Sequence, residues 1–246
     1  MSDFRSPLTD HLSAFVDLTP ADRELLHAAV SRNVHTLAAR QDIISDGDRP
    51  RAVNVVLEGW AMRYKQLSDG RRQILAFLIP GDLCDANVFI LKRMDHSLAA
   101  LTALRYAEIA QADFEDMMAA SPRIAKALWW SELVTVSIQR EWTTNIGQRS
   151  AYERIAHLFC EIFARQQAMG FAPADSCELP LTQLELGDAT GLTSVHVNRT
   201  LQQLRKERMI ELRGRRLQLL DPERLREVAM FSSSYLHLDR VRTPAR

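Results

Sequence analysis

Residues 181–216 read LTQLELGDATGLTSVHVNRTLQQLRKERMIELRGRR, and this stretch decides the fold of the C-terminal part of the chain. On a helical wheel centred on Val197, Leu201 and Leu204 fall on the same side, which is the spacing of an amphipathic helix. These three residues are expected to be buried in a core. The opposite side carries two cations, an amide and a β-branched side chain, with no carboxylate among them: Val195, Arg199, Gln202 and Lys206.

The residues around this helix predict a helix-turn-helix followed by a β-wing. Thr182 can cap a short first helix, and Gly187 is a small residue at the position where two packed helices would cross. Gly191 supplies the turn and Thr193 caps the second helix. Residues 210–219 then contain two short strand-like runs around an Arg-Gly-Arg turn.

The charges of the chain are balanced overall, with 31 Lys or Arg and 31 Asp or Glu, but they are not evenly spread. Residues 195–216 hold seven Lys or Arg against Glu207 and Glu211 only. A basic concentration of this kind predicts a phosphate-binding surface. Two packed helices with a solvated basic face are the simpler alternative, but the turn, the charge and the wing together favour DNA binding. The candidate DNA-binding residues are Thr193, Ser194, Val195, His196, Asn198, Arg199, Gln202, Lys206, Arg213 and Arg215.

The N-terminal part of the chain has the pattern of a small β-barrel or jelly roll. Residues 53–79 form β-rich runs that are interrupted at Glu58-Gly59 and again at Ser68-Asp69-Gly70, which is a hairpin signal. Apolar residues recur between Leu98 and Ile109 with little charge between them. Several short antiparallel strands joined by polar turns predict one closed β unit.

A long helix follows, beginning at Ser121-Pro122 and extending to about residue 146, where Gly147 is expected to interrupt it. It is more apolar than a solvated helix would be, which implies an interface, either with its own domain or with another chain. The residues predicted to be exposed for pairing with a second copy of the chain are Leu128, Val134, Ile138 and Trp142. A second helix comes next, and residues 170–179 are a loop by composition.

The stretch LTQLELGDATGLTSVHVNRTLQQLRKERMI resembles the winged-helix domain of the Crp/Fnr family of bacterial transcription regulators, and EGWAMRYKQLSDGRRQILAFLIPGDL resembles the β-roll sensor domain of that family. The resemblance covers roughly residues 15–220 and implies an α+β fold. Its parts would be a cyclic-nucleotide-binding-like β-roll of the jelly-roll type (1–120), a dimerisation helix (121–146), a winged helix-turn-helix (147–221), and a C-terminal helix and tail (222–246).

The same resemblance implies a sequence-specific transcription regulator that binds a palindromic promoter site as a homodimer. The helix around residues 194–206 would lie in the major groove, and Arg199 matches the family's guanine-reading arginine. Double-stranded DNA and RNA polymerase are the implied partners. The target promoters, and whether the output is activation or repression, do not follow from the sequence.

The resemblance also exposes departures in the sensor domain. Family members that bind cyclic AMP carry a Gly-Glu pair for the ribose and an Arg-Ser pair for the phosphate, but Asp85-Ala86 and His96-Ser97 stand at these positions. These four residues are the candidate effector pocket, and cyclic AMP is not expected to bind there. His96 is expected on a loop surface. An Fnr-like iron–sulfur cluster is not expected either, because no cysteine precedes Cys84.

The remaining features predict a cytoplasmic, non-enzymatic protein without a cofactor or a metal. No apolar run approaches the ~20 residues of a membrane span, and the N-terminus has no signal-peptide pattern. The three cysteines are widely spaced and are expected to be small buried apolar residues: Cys84, Cys160 and Cys177. His157, three residues before Cys160, is expected to be a packing residue rather than a metal ligand. The sequence shows no recognisable set of a nucleophile, a base and a residue that orients the base. The alternative is a ligand- or metal-binding cupin-like regulatory module, or an enzyme with an accessory nucleic-acid-binding domain, although the chain contains no His-x-His pair for a metal.

Overall fold

The structure is a computed structural model that describes residues 5–86 and 88–238. Of the described residues, the backbone divides into two compact units, one containing 5–71 together with 75–135, the other containing 72–74 together with 136–238. Residues 72–74 begin a strand of the first unit's sheets and are described with that unit. Within the described ranges, no helix is both long enough and apolar enough to cross a membrane.

The first unit is a β-roll with helices at both ends of its sequence. Its strands are short because turn residues interrupt the alternating pattern; at Gly59, with a φ of +80°, a Cβ atom would overlap the carbonyl oxygen of Ala103. The helices are α1 (Pro7–Ser13), α2 (Pro20–Ser31) and α3 (Gln111–Ala120), and the strands are β1 (Val34–Leu37), β2 (Asp42–Ile44), β3 (Ala52–Glu58), β4 (Ala61–Gln66), β5 (Arg72–Leu78), β6 (Leu83–Cys84), β7 (Ser97–Ala100) and β8 (Leu104–Ala110).

Two four-stranded sheets build this roll, in the strand orders β1-β8-β3-β6 and β2-β7-β4-β5. The pairings of β8 with β1 and β3, and of β7 with β2 and β4, are antiparallel. The core between the sheets is apolar, and Trp60, Ile74, Phe77 and Leu98 are among its fully buried side chains. The predicted β-roll is confirmed, including the breaks after β3 and β4.

The long helix α4 (Pro122–Gln148) begins where the Ser-Pro signal predicts. The Ser121 hydroxyl accepts a hydrogen bond from the Ile124 amide at 3.3 Å, which satisfies one of the first backbone donors of the helix. The prediction that Gly147 interrupts the helix is wrong, because Gly147 lies inside the last turn of α4. A glycine near a helix end costs only ~1 kcal/mol relative to alanine and does not by itself stop the helix.

The exposed face of α4 differs from the predicted one. Leu128, Val134 and Trp142 were expected to face a second chain, but they are buried, and Ile138 is half-buried. The sequence pattern of the helix has no clean heptad, so the register of its inner face could not be read from spacing alone. The apolar residues that are exposed on one side of α4 are Trp129, Leu133 and Val136, and we refer to them as the α4 stripe.

The second unit contains the helix-turn-helix and a three-stranded wing. Its helices are α5 (Ala151–Ala168), α6 (Gln183–Thr190), α7 (Ser194–Lys206) and α8 (Pro222–Ala229), its strands are β9 (Ser176–Glu178), β10 (Ile210–Arg213) and β11 (Arg216–Leu219), and a 3-10 turn follows (Ser233–Leu236).

The wing has the strand order β10-β11-β9, so part of the predicted loop 170–179 is a strand. Cys177 pairs with Leu217 and is fully buried, but a strand of three residues is too short to produce a period-two pattern. The predicted C-terminal helix begins at Pro222, capped by Asp221, and residues 239–246 of the predicted tail lie outside the described residues.

Candidate DNA-binding interface

Helix α6 and the turn that follows it depend on a capping box at the start of the helix and on two glycines. The Thr182 hydroxyl accepts from the Glu185 amide, and the Glu185 carboxylate accepts from the Thr182 amide at 2.7 Å, so both orphan donors are satisfied. Gly191 ends α6 at a φ of +67°, a conformation that favours glycine. A Cβ atom on Gly187 would lie 2.5 Å from the carbonyl oxygen of Leu192, so the close approach predicted at this glycine is present.

The second helix, α7, has the two faces that the wheel predicts. The Thr193 hydroxyl accepts from the His196 amide at 3.3 Å and caps its start. Val197, Leu201 and Leu204 are almost completely buried, at 0%, 3% and 0% exposure. The opposite side of the helix is exposed, and its side chains are those of Val195, Arg199, Gln202 and Lys206.

The ten candidate DNA-binding residues lie on the surface of α7 and at the tip of the wing, and all of them are exposed except Asn198, which is half-buried. The side-chain Nδ2 of Asn198 donates to Oε1 of Gln183 at 3.3 Å, so the first residue of α6 supports the outer face of α7. The sequence gives no sign of this pair. In the wing, the Arg213 guanidinium lies 2.7 Å from the Glu211 carboxylate, whereas α7 itself contains no acidic residue.

A network that sequence reasoning missed fixes the C-terminal end of α7. The Glu207 carboxylate accepts from the Tyr152 hydroxyl of α5 at 2.7 Å and lies 3.3 Å from the Arg224 guanidinium of α8. Burial, followed by the Glu207 carboxylate, raises the pKa of Tyr152, so the hydroxyl remains a donor. The C-terminal end of α7 is therefore anchored to α5 and α8.

A second missed residue, Arg154, holds the turn of the helix-turn-helix in place. Its guanidinium donates to the carbonyl oxygen of Thr190 at 2.6 Å, and to the carbonyl oxygens of Ile146 and Arg149 at 2.9 Å each. One guanidinium thereby supplies hydrogen-bond donors to backbone carbonyl oxygens at the C-terminal ends of both α4 and α6. From the sequence, Arg154 is only a polar residue on an amphipathic helix, because its acceptors are backbone carbonyl oxygens, which any residue type can supply, and the one at Thr190 is 36 residues away.

We expect Gly187→Ala to destabilise the second unit by about 1–3 kcal/mol, since the new methyl group would collide with a backbone oxygen that cannot rotate away. The matched control is Gly147→Ala, which introduces the same methyl group into a helix with nothing within 4 Å. This control should be neutral or stabilise by about 0.5–1 kcal/mol. Thermal unfolding of both variants checks the pair, and equal effects would contradict the crossing geometry.

Two of the four candidate effector residues, Asp85 and His96, meet in an ion-pair cluster of the first unit. The Asp85 carboxylate lies 2.6 Å from the Arg63 guanidinium and 2.9 Å from Nε2 of His96. Nδ1 of His96 lies 2.6 Å from the Asp95 carboxylate. The expectation that His96 lies on a loop surface is wrong: it is 7% exposed, because it is the counter-charge of two aspartates.

The electrostatics of this cluster stabilise the charged forms of its members. Burial alone would raise the pKa of Asp85, but the hydrogen bond with His96 and the charge of Arg63 lower it below its ordinary value. Burial alone would lower the pKa of His96, and Asp85 raises it instead. Ala86 is buried and its amide donates to Glu132 of α4 at 3.0 Å, while the Ser97 hydroxyl accepts from the Asp46 amide.

Among the described residues, no group of three or more His, Cys, Asp or Glu side chains is placed to hold a metal ion. The three cysteines are free and buried, and burial raises the pKa of Cys160 and of Cys177 to about 12. His157 and Cys160, predicted to be packing residues, are both buried in α5.

Comparison with known proteins identifies relatives of both units. The cyclic nucleotide-binding domain family matches residues 34–121, and the Crp-like helix-turn-helix domain family matches residues 153–228. The nitrogen fixation regulation protein FixK of Bradyrhizobium diazoefficiens is 30% identical over 84% of this chain and 85% of its own length. The transcriptional activator protein FnrL of Cereibacter sphaeroides is 31% identical over 72% of each chain. The solved structure of FixK2 from Bradyrhizobium japonicum matches with a TM-score of 0.71 at 25% identity, covering 80% of this chain and 96% of that one.

Proposed function

The chain belongs to the Crp/Fnr family of DNA-binding transcription regulators, and from that premise we propose that it binds a palindromic promoter site as a homodimer, with α7 in the major groove. The observation that carries this proposal is the exposed face of α7, which presents Arg199 and Lys206 with no carboxylate on the helix. The major groove is about 12 Å wide and admits an α-helix. Arg199 can donate two parallel hydrogen bonds to a guanine there.

Base reading and backbone binding are divided among the candidate residues. Val195 is 60% exposed and has no hydrogen-bonding group, so it is suited to contact a thymine methyl group. Lys206 and the wing residues Arg213 and Arg215 supply the charge that binds phosphates and fixes the register on the duplex. Thr193 and Ser194 stand at the start of α7, where backbone amides also favour a phosphate.

The homodimer is proposed from the α4 stripe. Three large apolar side chains that are exposed on one side of a helix need a partner, and a second copy paired about a two-fold axis would cover both stripes at once. A symmetric dimer presents two recognition helices, so the half-site centres should lie about one helical turn, ~34 Å, apart. As a promoter-binding regulator without catalytic chemistry, the protein would work in the cytoplasm and contact RNA polymerase.

The experiment is selection of DNA from a random duplex library with the purified protein at physiological salt. We expect enrichment of one motif. A ligand-binding module with no promoter recognition, which is the competing function, would retain DNA only weakly and lose it uniformly as salt rises. Absence of any enriched motif would therefore favour that module and contradict the proposed function.

We further expect cyclic AMP neither to bind tightly nor to change DNA affinity. Its phosphate would meet the Asp85 carboxylate, and the nearby cations Arg63 and His96 are already paired with that carboxylate. Isothermal titration with the nucleotide at about 1 mM should give no saturable heat, because nothing offsets the like-charge contact. A micromolar dissociation constant would contradict this expectation and would mean that Asp85 leaves the cluster when the nucleotide binds.

A further inference from the structure

The C-terminal segment of the described chain, residues 231–238, packs onto α5. It lies beyond residue 228, where the match to the Crp-like helix-turn-helix domain ends. The Phe231 ring meets the His157 ring of α5 edge to face, with centroids 5.2 Å apart, and the Tyr235 ring stacks on it, with centroids 5.9 Å apart. Leu236 is buried at 1% exposure. This segment is therefore part of the folded unit, and we call it the C-terminal strap.

The polar contact of the strap is with a carboxylate in the middle of the unit. Glu161 of α5 is 0% exposed. The Tyr235 hydroxyl donates to Oε2 of Glu161 at 2.8 Å, and Nε1 of Trp142, on α4, donates to Oε1 at 3.0 Å. One buried acid thereby joins three segments that are far apart in sequence: the C-terminal half of α4, the middle of α5 and the strap.

Burying a carboxylate in a core costs desolvation free energy that an apolar side chain would not cost. Its presence at this position therefore indicates a role for its hydrogen bonds. The carboxylate accepts from both donors at once, with Nε1 of Trp142 also 3.2 Å from Oε2, and this fixes the distance between the elements that carry the donors. The nearby charged and titratable groups are Glu141 on α4 and His157 and Arg165 on α5, with Nη1 of Arg165 4.0 Å from Oε1. None of these replaces the hydroxyl of Tyr235.

We propose that the C-terminal strap is a positioning element for DNA binding, in which Tyr235 and Glu161 fix α5 against the end of α4. Helix α5 carries the tyrosine that anchors α7, so motion of α5 moves the recognition helix. In a dimer, both recognition helices must contact their half-sites at the same time. If α5 can move relative to the end of α4, then after one recognition helix has bound, the other has a lower effective concentration at its own half-site. This inference rests on the proposed homodimer.

The first experiment compares two truncations by their affinity for a full palindrome and for a single half-site, using the motif selected by the wild-type protein. A chain ending at Met230 lacks the strap, and a chain ending at Leu238 keeps it and serves as the matched control. We expect the shorter chain to bind the full palindrome about ten-fold more weakly, with half-site affinity unchanged, because only simultaneous engagement is affected. Equal binding of the full palindrome by both chains would overturn the proposal.

The second experiment needs no DNA and therefore separates failure of the strap from failure of the proposed function. Burial raises the pKa of Glu161, and the donors Trp142 and Tyr235 lower it in part. Folding consequently favours the neutral acid, and the cost of the carboxylate grows as pH rises from the unfolded pKa through the folded one. Tyr235→Phe removes a donor to the charged form, so its loss in Tm should be larger at a pH above the folded pKa of Glu161, where the Tm of the wild-type protein has itself fallen, than at a pH below it, by about 4 °C.

The control for this pH dependence is the same substitution in a Glu161→Gln background, where position 161 no longer titrates. There, Tyr235→Phe should lower Tm by the same amount at both pH values. A Tm loss for Tyr235→Phe that is independent of pH in the wild-type background would show that the hydroxyl does not serve the carboxylate, and it would overturn the pairing. If the wild-type protein selected no DNA motif, the proposed function would be contradicted. The pH dependence of Tm would still decide whether Tyr235 pairs with Glu161.

Discussion

Arg199→Ala is expected to abolish specific DNA binding while leaving weak, salt-sensitive binding to any duplex. The side chain is exposed in the middle of the outer face of α7, with Val195 and Gln202 as neighbours on the same face. A bidentate arginine–guanine contact contributes ~1–3 kcal/mol of discrimination per half-site, which corresponds to about 5- to 150-fold in affinity at each site. Titration of a labelled duplex carrying the selected motif, against a scrambled duplex, measures the loss.

The matched control is Arg51→Ala, which removes one exposed arginine from the β-roll and leaves the same net charge as the test variant. It should bind the selected motif as the wild-type protein does. If Arg199→Ala retained the wild-type preference for the motif over the scrambled duplex, Arg199 would not read a base, and the docking of α7 would have to be revised.

Leu133→Glu is expected to convert the protein to monomers and to remove most of its affinity for the promoter. Leu133 is 64% exposed in the middle of the α4 stripe. Burying a leucine is worth ~1.5–3 kcal/mol, and a symmetric interface loses the contribution twice, so the dimer dissociation constant should rise by a factor on the order of 100 or more. Two carboxylates near the two-fold axis would add repulsion. Sedimentation velocity at micromolar concentration is the measurement.

The control is Leu67→Glu, the same change at a leucine that is 49% exposed directly after β4 and is not part of the α4 stripe. That variant should remain a dimer and keep its promoter affinity. Sedimentation of Leu133→Glu as an intact dimer would contradict the assignment of the α4 stripe, and a monomeric wild-type protein with full promoter affinity would contradict the homodimer itself.

The features that the sequence predicts well are those determined by neighbouring residues. The caps at Thr182 and Thr193, the left-handed Gly191 and the inner stripe of α7 depend on spacings of a few residues, and all of them appear as expected. The same holds for the turns of the β-roll, where Gly59 permits an approach that another residue would block. Local steric rules act on the chain before any tertiary contact forms, so they can be read directly from the residue order.

The features that were wrong or missed depend on partners far along the chain. The inner face of α4 is decided by which segments pack on it, and Trp142 turns inward because Glu161, nineteen residues away, accepts its hydrogen bond. His96 is buried because Arg63 and Asp85, 33 and 11 residues away, complete a charged environment of which only Asp95 is a neighbour in sequence. Arg154 binds backbone carbonyl oxygens, which have no residue type to recognise. Periodicity cannot locate any of these pairs.

Methylation interference on the selected motif tests the central claim most directly, because methyl groups on guanine N7 lie in the major groove. If α7 enters that groove from each subunit of a dimer, methylation should block binding at guanines in two symmetric clusters, with centres about one helical turn apart. Arg199→Ala should lose the interference at one guanine in each cluster. Binding that is insensitive to N7 methylation, or interference confined to a single cluster in the wild-type protein, would contradict the account.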